Sequence, residues 1–466
     1  MFTILHNPSA LSSDVLSGSL FCITAGQLLI CALDDKVKTI PRRISLPGSA
    51  SKLTYSKHLK SLIVAYSTSE IDTSADPMRR FTRTHIDFVD PDSQSPIVEL
   101  PPSQVEEGGD VSRWRPRTAA GEKITCILDW TPERGDEMYH WVVIGTARRH
   151  QQDKGRVIFL QAVRNATNPS NIECVTKHVH HFEGPVYAIA PYGRSTLVVA
   201  TGYDIVPLVP RSSETRWNRA RYSLLSPAVS IAVHEPYLYV STARESLVVL
   251  RVSDNRIVLH AHDRVRREGL SNFHMQDDPS LTVASSRGGT VSILTEVGVA
   301  GNDRLMPASL AEAHLPLSVT KLLPLSDALY GTTLDGAVYR FMKLDVREWR
   351  LLRFLQILST RDPAICPFVP SRRRSNRADI ETLVPGRKPL HMHVDGDILN
   401  QLVMRGTAYL RQMLSTPDES HQGPGASDTR RVLKKFLELS EEALGVSLDP
   451  ARDVMGWLRG LLDSSL

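Results

Sequence analysis

The residues best suited to chemistry lie near the end of the chain, in His391-Met392-His393-Val394-Asp395-Gly396-Asp397. Two imidazoles and two carboxylates within seven residues are ligand types for a divalent metal. A two-metal hydrolytic box of this kind needs a third histidine directly after Asp395. Gly396 occupies that position, and His421 is the only later histidine. The alternative makes Asp395 and Asp397 turn and cap residues at the start of a helix. A second cluster, His178, His180 and His181, alternates along a strand-like stretch, so His178 and His180 share a face. Zinc would need a cysteine or carboxylate partner, and none is evident; a solvated strand edge is the other reading. Two arginine clusters could meet phosphate. Arg372, Arg373, Arg374 and Arg377 suit a nuclear-import or nucleic-acid patch, or a solvated linker. Arg79, Arg80 and Arg83, with Arg113, Arg115 and Arg117, form a second patch interrupted by acidic residues; a plain surface loop is the favoured reading of it. No phosphate-binding glycine loop, dinucleotide fingerprint or nucleophile elbow follows a strand. No catalytic residue, metal or cofactor is therefore assigned, and no small-molecule substrate is expected.

The elements that would carry these residues repeat. Tyr330–Phe341 reads as a hairpin, turning at Leu334-Asp335-Gly336 because glycine accepts the positive φ of a tight turn. Similar units, each an apolar strand ending in small residues, a turn and a second apolar strand, occur at Phe21–Leu33, Leu62–Tyr66, Trp141–Val163, Leu197–Val209, Leu238–Val252 and Leu281–Leu294. Seven units at roughly 40 to 55 residue steps match the period of four-stranded propeller blades. One step is about twice as long, and residues 67–122 are read as a polar inter-strand loop. The expectation is a mainly β chain, a seven-bladed β-propeller over residues 1–358. A pair of β-sandwiches, which needs no fixed step, is the rival. Asp345 and Glu348 then open a helix with capping-box spacing. Residues 359–389 read as a basic, proline-containing linker, and residues 390–466 as a small α-helical C-terminal domain in which Gly445 ends one helix and Asp449-Pro450 opens the next.

Composition narrows the class further. With 41% hydrophobic and 23% charged residues the chain is ordinary globular protein, and a net charge of +4 over 466 residues does not by itself mark a nucleic-acid binder. The five cysteines form no C-x-x-C pair, consistent with free thiols in a reducing compartment. The apolar run Leu20–Leu33 is too short for a bilayer span and is read as two buried strands, so no membrane association is expected.

Gly331-Thr332-Thr333-Leu334-Asp335-Gly336, the following helix with Trp349 and Leu352, and Val394-Asp395-Gly396-Asp397-Ile398-Leu399 together resemble the CPSF A-subunit family, in the C-terminal region that defines it. That family includes the large damaged-DNA-binding subunit of cullin-4 ubiquitin ligases, splicing factor 3b subunit 3 and the largest cleavage and polyadenylation factor subunit. Ser45-Leu46 before Lys52-Leu53-Thr54-Tyr55, Ile144-Gly145-Thr146-Ala147 with Gly155-Arg156-Val157, and Gly184-Pro185-Val186-Tyr187 agree in order. The resemblance implies a third propeller with its helical C-terminal domain, in which Gly331, Asp335, Gly336, Trp349, Val394, Asp395, Gly396 and Asp397 are structural. It also implies a nuclear, non-catalytic scaffold binding protein partners in DNA repair, ubiquitin ligation or RNA processing, with possible nucleic-acid contact. Direct nucleic-acid binding through the arginine clusters is the alternative, and a metal-dependent hydrolase using His391, His393 and Asp395 the remote one. The match departs from the family in three ways: the two upstream propellers have no counterpart here, Asn400 stands where an acidic residue is common, and the sequence from Leu462 onward has no family counterpart. The expectation is either the tail of a longer scaffold or a short relative.

Overall fold

The computed structural model describes residues 19–24, 27–32, 46–72, 79–91, 121–134, 137–148, 154–164, 172–209, 220–253, 256–275, 281–298, 305–325, 328–362, 364–366, 393–415 and 426–462. The described residues form a β-propeller of six blades and four C-terminal helices. The chain divides into two compact units, one of Ile44–Arg361 with Phe368–Asp395, the other of Met1–Arg43, Asp362–Pro367 and Gly396–Leu466.

Blade 1 comprises β3 (Ser49–Ser56), β4 (Ser61–Asp72) and β5 (Arg79–Val89); blade 2 comprises β6 (Glu122–Trp130), β9 (Trp141–Arg148), β10 (Gly155–Arg164) and β11 (Ile172–Phe182). A small ribbon, β7 (Glu133–Arg134) and β8 (Glu137–Met138), rises between β6 and β9. Blade 3 runs through β12 (Val186–Tyr192), β13 (Thr196–Thr201), β14 (Asp204–Leu208) and β15 (Tyr222–Ser223). Blade 4 is β16 (Ala228–His234), β17 (Tyr237–Thr242), β18 (Leu247–Ser253) and β19 (Arg256–His262). Blade 5 is β20 (Gly269–His274), β21 (Leu281–Ser286), β22 (Thr290–Gly298) and β23 (Leu305–His314), and blade 6 is β24 (Val319–Leu325), β25 (Ala328–Thr333) and β26 (Val338–Phe341).

The expected count of seven blades is corrected to six. Six of the seven sequence units fall on the second strand of a blade, or on its second and third. The seventh, Phe21–Leu33, forms β1 (Ser19–Thr24) and β2 (Gln27–Ala32), which pair only with each other among the described residues. A two-stranded hairpin carries the same local signal as the middle of a blade, but it lacks the flanking strands that make one. Within the 67–122 segment read as loop, β4 continues to Asp72 and pairs with β5 in unbroken register down to Asp72↔Arg79.

One local feature defines the repeat better than the hairpins do. Every innermost strand has a β-bulge near its start, at Ser51, Thr125, Tyr187, Val229, Leu270 and Thr320. A bulge sets two residues against one and bends the strand. The residue facing the one after each bulge is small in all six blades: Ala65, Gly145, Ala200, Ser241, Ser285 and Thr332. This crowding is why the apolar strands end in small residues. A Cβ on Gly145 would lie 2.4 Å from Cys126 Sγ and 2.8 Å from Val186 Cγ1. In three blades the bulged hydroxyl donates across to the second strand: Ser51 to Ala65 O (3.1 Å), Thr125 to Gly145 O (2.9 Å) and Thr320 to Thr332 O (3.0 Å).

The apolar core lies between blades. Ile63, Phe88, Ile144 and Ile158 meet between blades 1 and 2, Trp141, Phe159, Val186 and Val199 between blades 2 and 3, and Leu238, Leu250, Val198 and Ile205 between blades 3 and 4. Smaller clusters join blades 4 to 5 and 5 to 6. Two buried ion pairs add polar seams. Glu122, fully buried, accepts from Arg156 Nε and Nη2 and from Thr146 Oγ1, each at 2.7 Å. Burial alone would raise the Glu122 carboxyl; the Arg156 bonds, the Thr146 bond and the charges of Arg156 and Arg148 outweigh it and leave the group lowered.

Four helices follow. In α1 (Val346–Arg361), Asp345 and Glu348 form the expected capping box, with the Asp345 N–H donating to Glu348 Oε2 at 2.9 Å. Trp349, Leu351, Leu352, Phe354 and Leu355 are all buried, so this helix is apolar on most sides. In the other unit, α2 (Gly396–Ser415), α3 (Ala426–Leu444) and α4 (Pro450–Leu462) pack together through Leu402, Leu410, Phe436, Leu439, Val454 and Leu458. Gly445 (φ +89°) ends α3, and Asp449 caps α4, accepting from Arg452 N–H at 3.3 Å. On α3, Leu433, Leu437 and Leu444 are 37–42% exposed.

Candidate interaction surface

Several sequence candidates resolve into structure rather than chemistry. Gly331 lies where a Cβ would come within 2.8 Å of Phe341 and 2.9 Å of Val319, and Gly336 turns the hairpin at φ +85°. Trp349 is buried in α1. Asp395 precedes α2, with its N–H donating to Gln356 Oε1 at 3.1 Å, and Gly396 and Asp397 begin that helix. His391 and the arginines at 113, 115, 117, 372, 373, 374 and 377 lie outside the described residues. Arg80 and Arg83 stand on β5 and pair across the strand: Arg80 donates to Ser69 Oγ at 2.5 Å, and Arg83 lies 3.1 Å from Glu70. His178 and His180 form a ladder with Phe159 and Phe182. Burial, then the charges of His178 and His181, lower His180. Among the described residues no three His, Cys, Asp or Glu side chains are placed to hold a metal.

One constellation was not legible in the sequence. Ser56, His140 and Asp129 meet at the foot of blades 1 and 2, where His58 stacks on His140 at 4.2 Å. A catalytic relay needs the acid on Nδ1 and the hydroxyl on Nε2. Here Asp129 Oδ1 (2.5 Å) and Ser56 Oγ (3.4 Å) both address Nε2, while Nδ1 is buried with no partner among the described residues. Ser56 Oγ also accepts the Leu59 N–H at 3.1 Å. The geometry is that of a polar brace.

A broader surface does emerge. In an antiparallel meander, alternate connections leave at the same end. The loops joining second to third strands therefore share one face of the ring with the loops joining successive blades. Backbone hydrogen bonds link these loops in series. Gly202 N–H donates to Pro185 O (2.8 Å), Leu224 to Tyr203 O (2.7 Å), Ala243 to Pro227 O (2.9 Å), Arg267 and Glu268 to Glu245 O (2.8 and 2.9 Å), Arg287 to Glu268 O (3.0 Å), and Leu315 to Gly289 O (2.9 Å). Side chains reinforce the series: Arg266 Nε donates to Arg244 O (2.7 Å) and Ser318 Oγ to Arg287 O (2.6 Å).

This braced face carries large apolar side chains in the open. Tyr203 is 54% exposed, Leu225 85%, Val265 55% and Leu334 90%. Between them stand exposed Arg244, Arg264, Arg266 and Arg287, with Glu268 and Asp335 as exposed acids. The Arg264–Arg266 loop is anchored from below by the second buried ion pair. Asp263 accepts from Ser246 Oγ (2.6 Å), Arg267 Nε (2.8 Å) and the Val265 N–H (2.9 Å), and Arg267 Nη1 also reaches Glu312 Oε2 and Ser292 Oγ (2.8 and 2.9 Å). Burial opposes the charge on Arg267; the Asp263 and Glu312 bonds and charges outweigh it and leave the group raised. Exposed aromatic and aliphatic side chains interleaved with arginine, held in fixed backbone, have the composition of a protein-binding hot spot. A rigid surface also loses little entropy on binding.

No family model matches the chain. A search of curated proteins finds an uncharacterized protein of Schizosaccharomyces pombe, 28% identical over 149 residues, a stretch that is 31% of this chain and 14% of the yeast protein. The match thus spans about one seventh of that relative.

Proposed function

We propose that this chain is a non-catalytic scaffold that docks protein partners on the braced loop face of its propeller. The observation carrying this reading is the set of open apolar side chains on one face: Tyr203, Leu225 and Val265 on loops locked together by backbone hydrogen bonds, with Leu334 at the tip of a hairpin turn beside them. Isolated exposed apolar residues are ordinary; a set on one rigid face, interleaved with arginine, is not. The resemblance to the CPSF A-subunit family supports the same reading and adds a setting: a multi-subunit nuclear complex in DNA repair, ubiquitin ligation or RNA processing. No helix among the described residues is long and apolar enough to cross a membrane.

The test is cross-linking mass spectrometry of the full chain in extract from its native source. Wild type is compared with a Leu225→Asp/Leu334→Asp variant shown to melt normally. Partners cross-linked within residues 200–340 should fall at least tenfold in the variant, the loss of a single hot spot being about 2 kcal/mol. Equal recovery of the same partners would remove the assignment. Recovery that instead vanished with modest salt and depended on added nucleic acid would transfer it to phosphate contact by the arginines.

A further inference from the structure

Within the helical unit, α3 buries Phe436, Leu439 and Ser440 on the side that packs on α2 and α4. Beside that packed side runs a second apolar stripe. Leu433, Leu437 and Leu444 follow at i, i+4 and i+11, so they share one face of the helix, and it is open to solvent. The loop after α3 extends the stripe by an inversion of polarity. Ser447 turns toward α4, where its hydroxyl bonds the Asp453 carboxylate and accepts the Asp449 N–H at 3.1 Å. Val446 and Leu448, on either side of it, are thrown outward, Val446 89% exposed and Leu448 fully so. The loop is held at both ends, by the Gly445 N–H on Glu441 O (2.9 Å) and by Arg411 on Asp449 (2.5 Å). A fixed loop with its serine turned in and its Val and Leu turned out is not the pattern of a solvated turn.

Charge is laid out along the same stripe. Arg430, Lys434 and Glu441 repeat the i, i+4, i+11 spacing three residues earlier, so they line its solvent side, and all three are exposed. The line is basic at the start of the helix and acidic at its end. A second α3 laid antiparallel on the stripe brings Leu433 of one copy beside Leu444 of the other. The same register sets Lys434 against Glu441, twice by symmetry. A parallel copy would set Lys434 against Lys434 and Glu441 against Glu441.

We infer that α3 and the loop after it form a self-association surface, on which a second copy of this chain docks with its own α3 antiparallel. The open leucines supply the buried strip of the interface, and the Lys434–Glu441 pairs at its margin fix direction and register. One helix and its loop make an interface at the small end of the range, under about 1,200 Å², so the dimer is reversible and forms with rising concentration.

The test is sedimentation velocity of the full-length chain over a wide concentration range at low salt. Wild type should pass from monomer to dimer as concentration rises. Lys434→Glu sets Glu against Glu twice, and Glu441→Lys sets Lys against Lys twice. Each variant alone should dimerise about tenfold more weakly, two exposed pairs having changed from attraction to repulsion. Both positions are exposed, so both variants should melt as wild type does. Mixed together, the two variants are complementary again, and a mixed dimer should form at about wild-type strength. Leu437→Asp should abolish dimerisation of an otherwise normally melting chain. A wild-type chain that stays monomeric throughout would give the stripe to another occupant and overturn the proposal. So would a dimer unchanged in all three variants, or a mixture of the two charge variants that regains nothing.

Discussion

The buried pair Asp263–Arg267 should couple the stability of blades 4 and 5 to the geometry of the loop face above them, and Asp263→Ala tests this directly. Asp263 and Arg267 side chains are 2% and 9% exposed. The substitution removes acceptors for Ser246 Oγ, Arg267 Nε and the Val265 N–H, while Arg267 keeps Glu312. Removing one partner of a buried pair costs about 3–5 kcal/mol. For a cooperative unit of about 320 residues, the unfolding entropy is about 0.7 kcal/mol/K, so melting should fall by about 4–8 °C. Glu122→Ala is the matched control. It removes three comparable bonds within blade 2, which does not border the loop carrying Val265, and should lower melting by a similar amount. Hydrogen exchange separates the two. Loss of a bond to a charged acceptor, about 1.5–3 kcal/mol, should speed exchange at the Val265 amide about ten- to a hundredfold in Asp263→Ala and leave it unchanged in Glu122→Ala. Identical exchange at residues 264–268 in both variants, or a melting change under 1 °C for Asp263→Ala, would refute the coupling.

Two further outcomes are expected. Because the folded Glu122 carboxyl sits below its unfolded value, its contribution is complete above about pH 4.3 and lost as pH falls through the folded value; the melting gap between wild type and Glu122→Gln should narrow between pH 5 and pH 3, and a gap constant over that range would contradict it. Gly289→Ala should destabilise by more than about 1 kcal/mol in chemical denaturation, since φ is +80° and a Cβ there would lie 2.6 Å from Leu315 O, the residue at the far end of the same loop joint; a neutral effect would mean the joint can open without loss.

The middle strands of the blades were legible because they are buried on both faces and so read as continuous apolar runs closed by small residues. Thr196–Thr201 and Tyr237–Thr242 show this, buried at every residue after the first. The innermost strands were not, because their bulges break the alternation: in Ala228–His234 most side chains are only part-buried, and the pattern carries no period. Blade number was over-read for the same reason. Phe21–Leu33 has the middle-strand signal, and nothing in its own sequence reports whether outer strands flank it. Helix starts were legible at Asp345 and Asp449, where capping is local chemistry. The loop face was invisible, since Tyr203, Leu225, Val265 and Leu334 are separated by up to 131 positions and share a face only through the stacking of blade on blade. Their being exposed, not their type, carries the functional reading, and exposure is a tertiary property.

The bulge explains why a propeller of such divergent blades presents so regular a face. By placing an extra residue at the start of each innermost strand, it tilts that strand and fixes where the preceding inter-blade loop arrives. Each loop then meets the turn of the blade beside it at hydrogen-bonding distance, as the Pro185–Gly202, Tyr203–Leu224 and Gly289–Leu315 joints show. The same geometry crowds the facing position, which is Gly, Ala, Ser or Thr in all six blades. Variation can therefore accumulate at loop tips without disturbing the stacked blades. Those tips are where this chain carries exposed apolar side chains with arginine. A backbone that separates the positions that must be small from those free to vary keeps its binding surfaces independent of its stability.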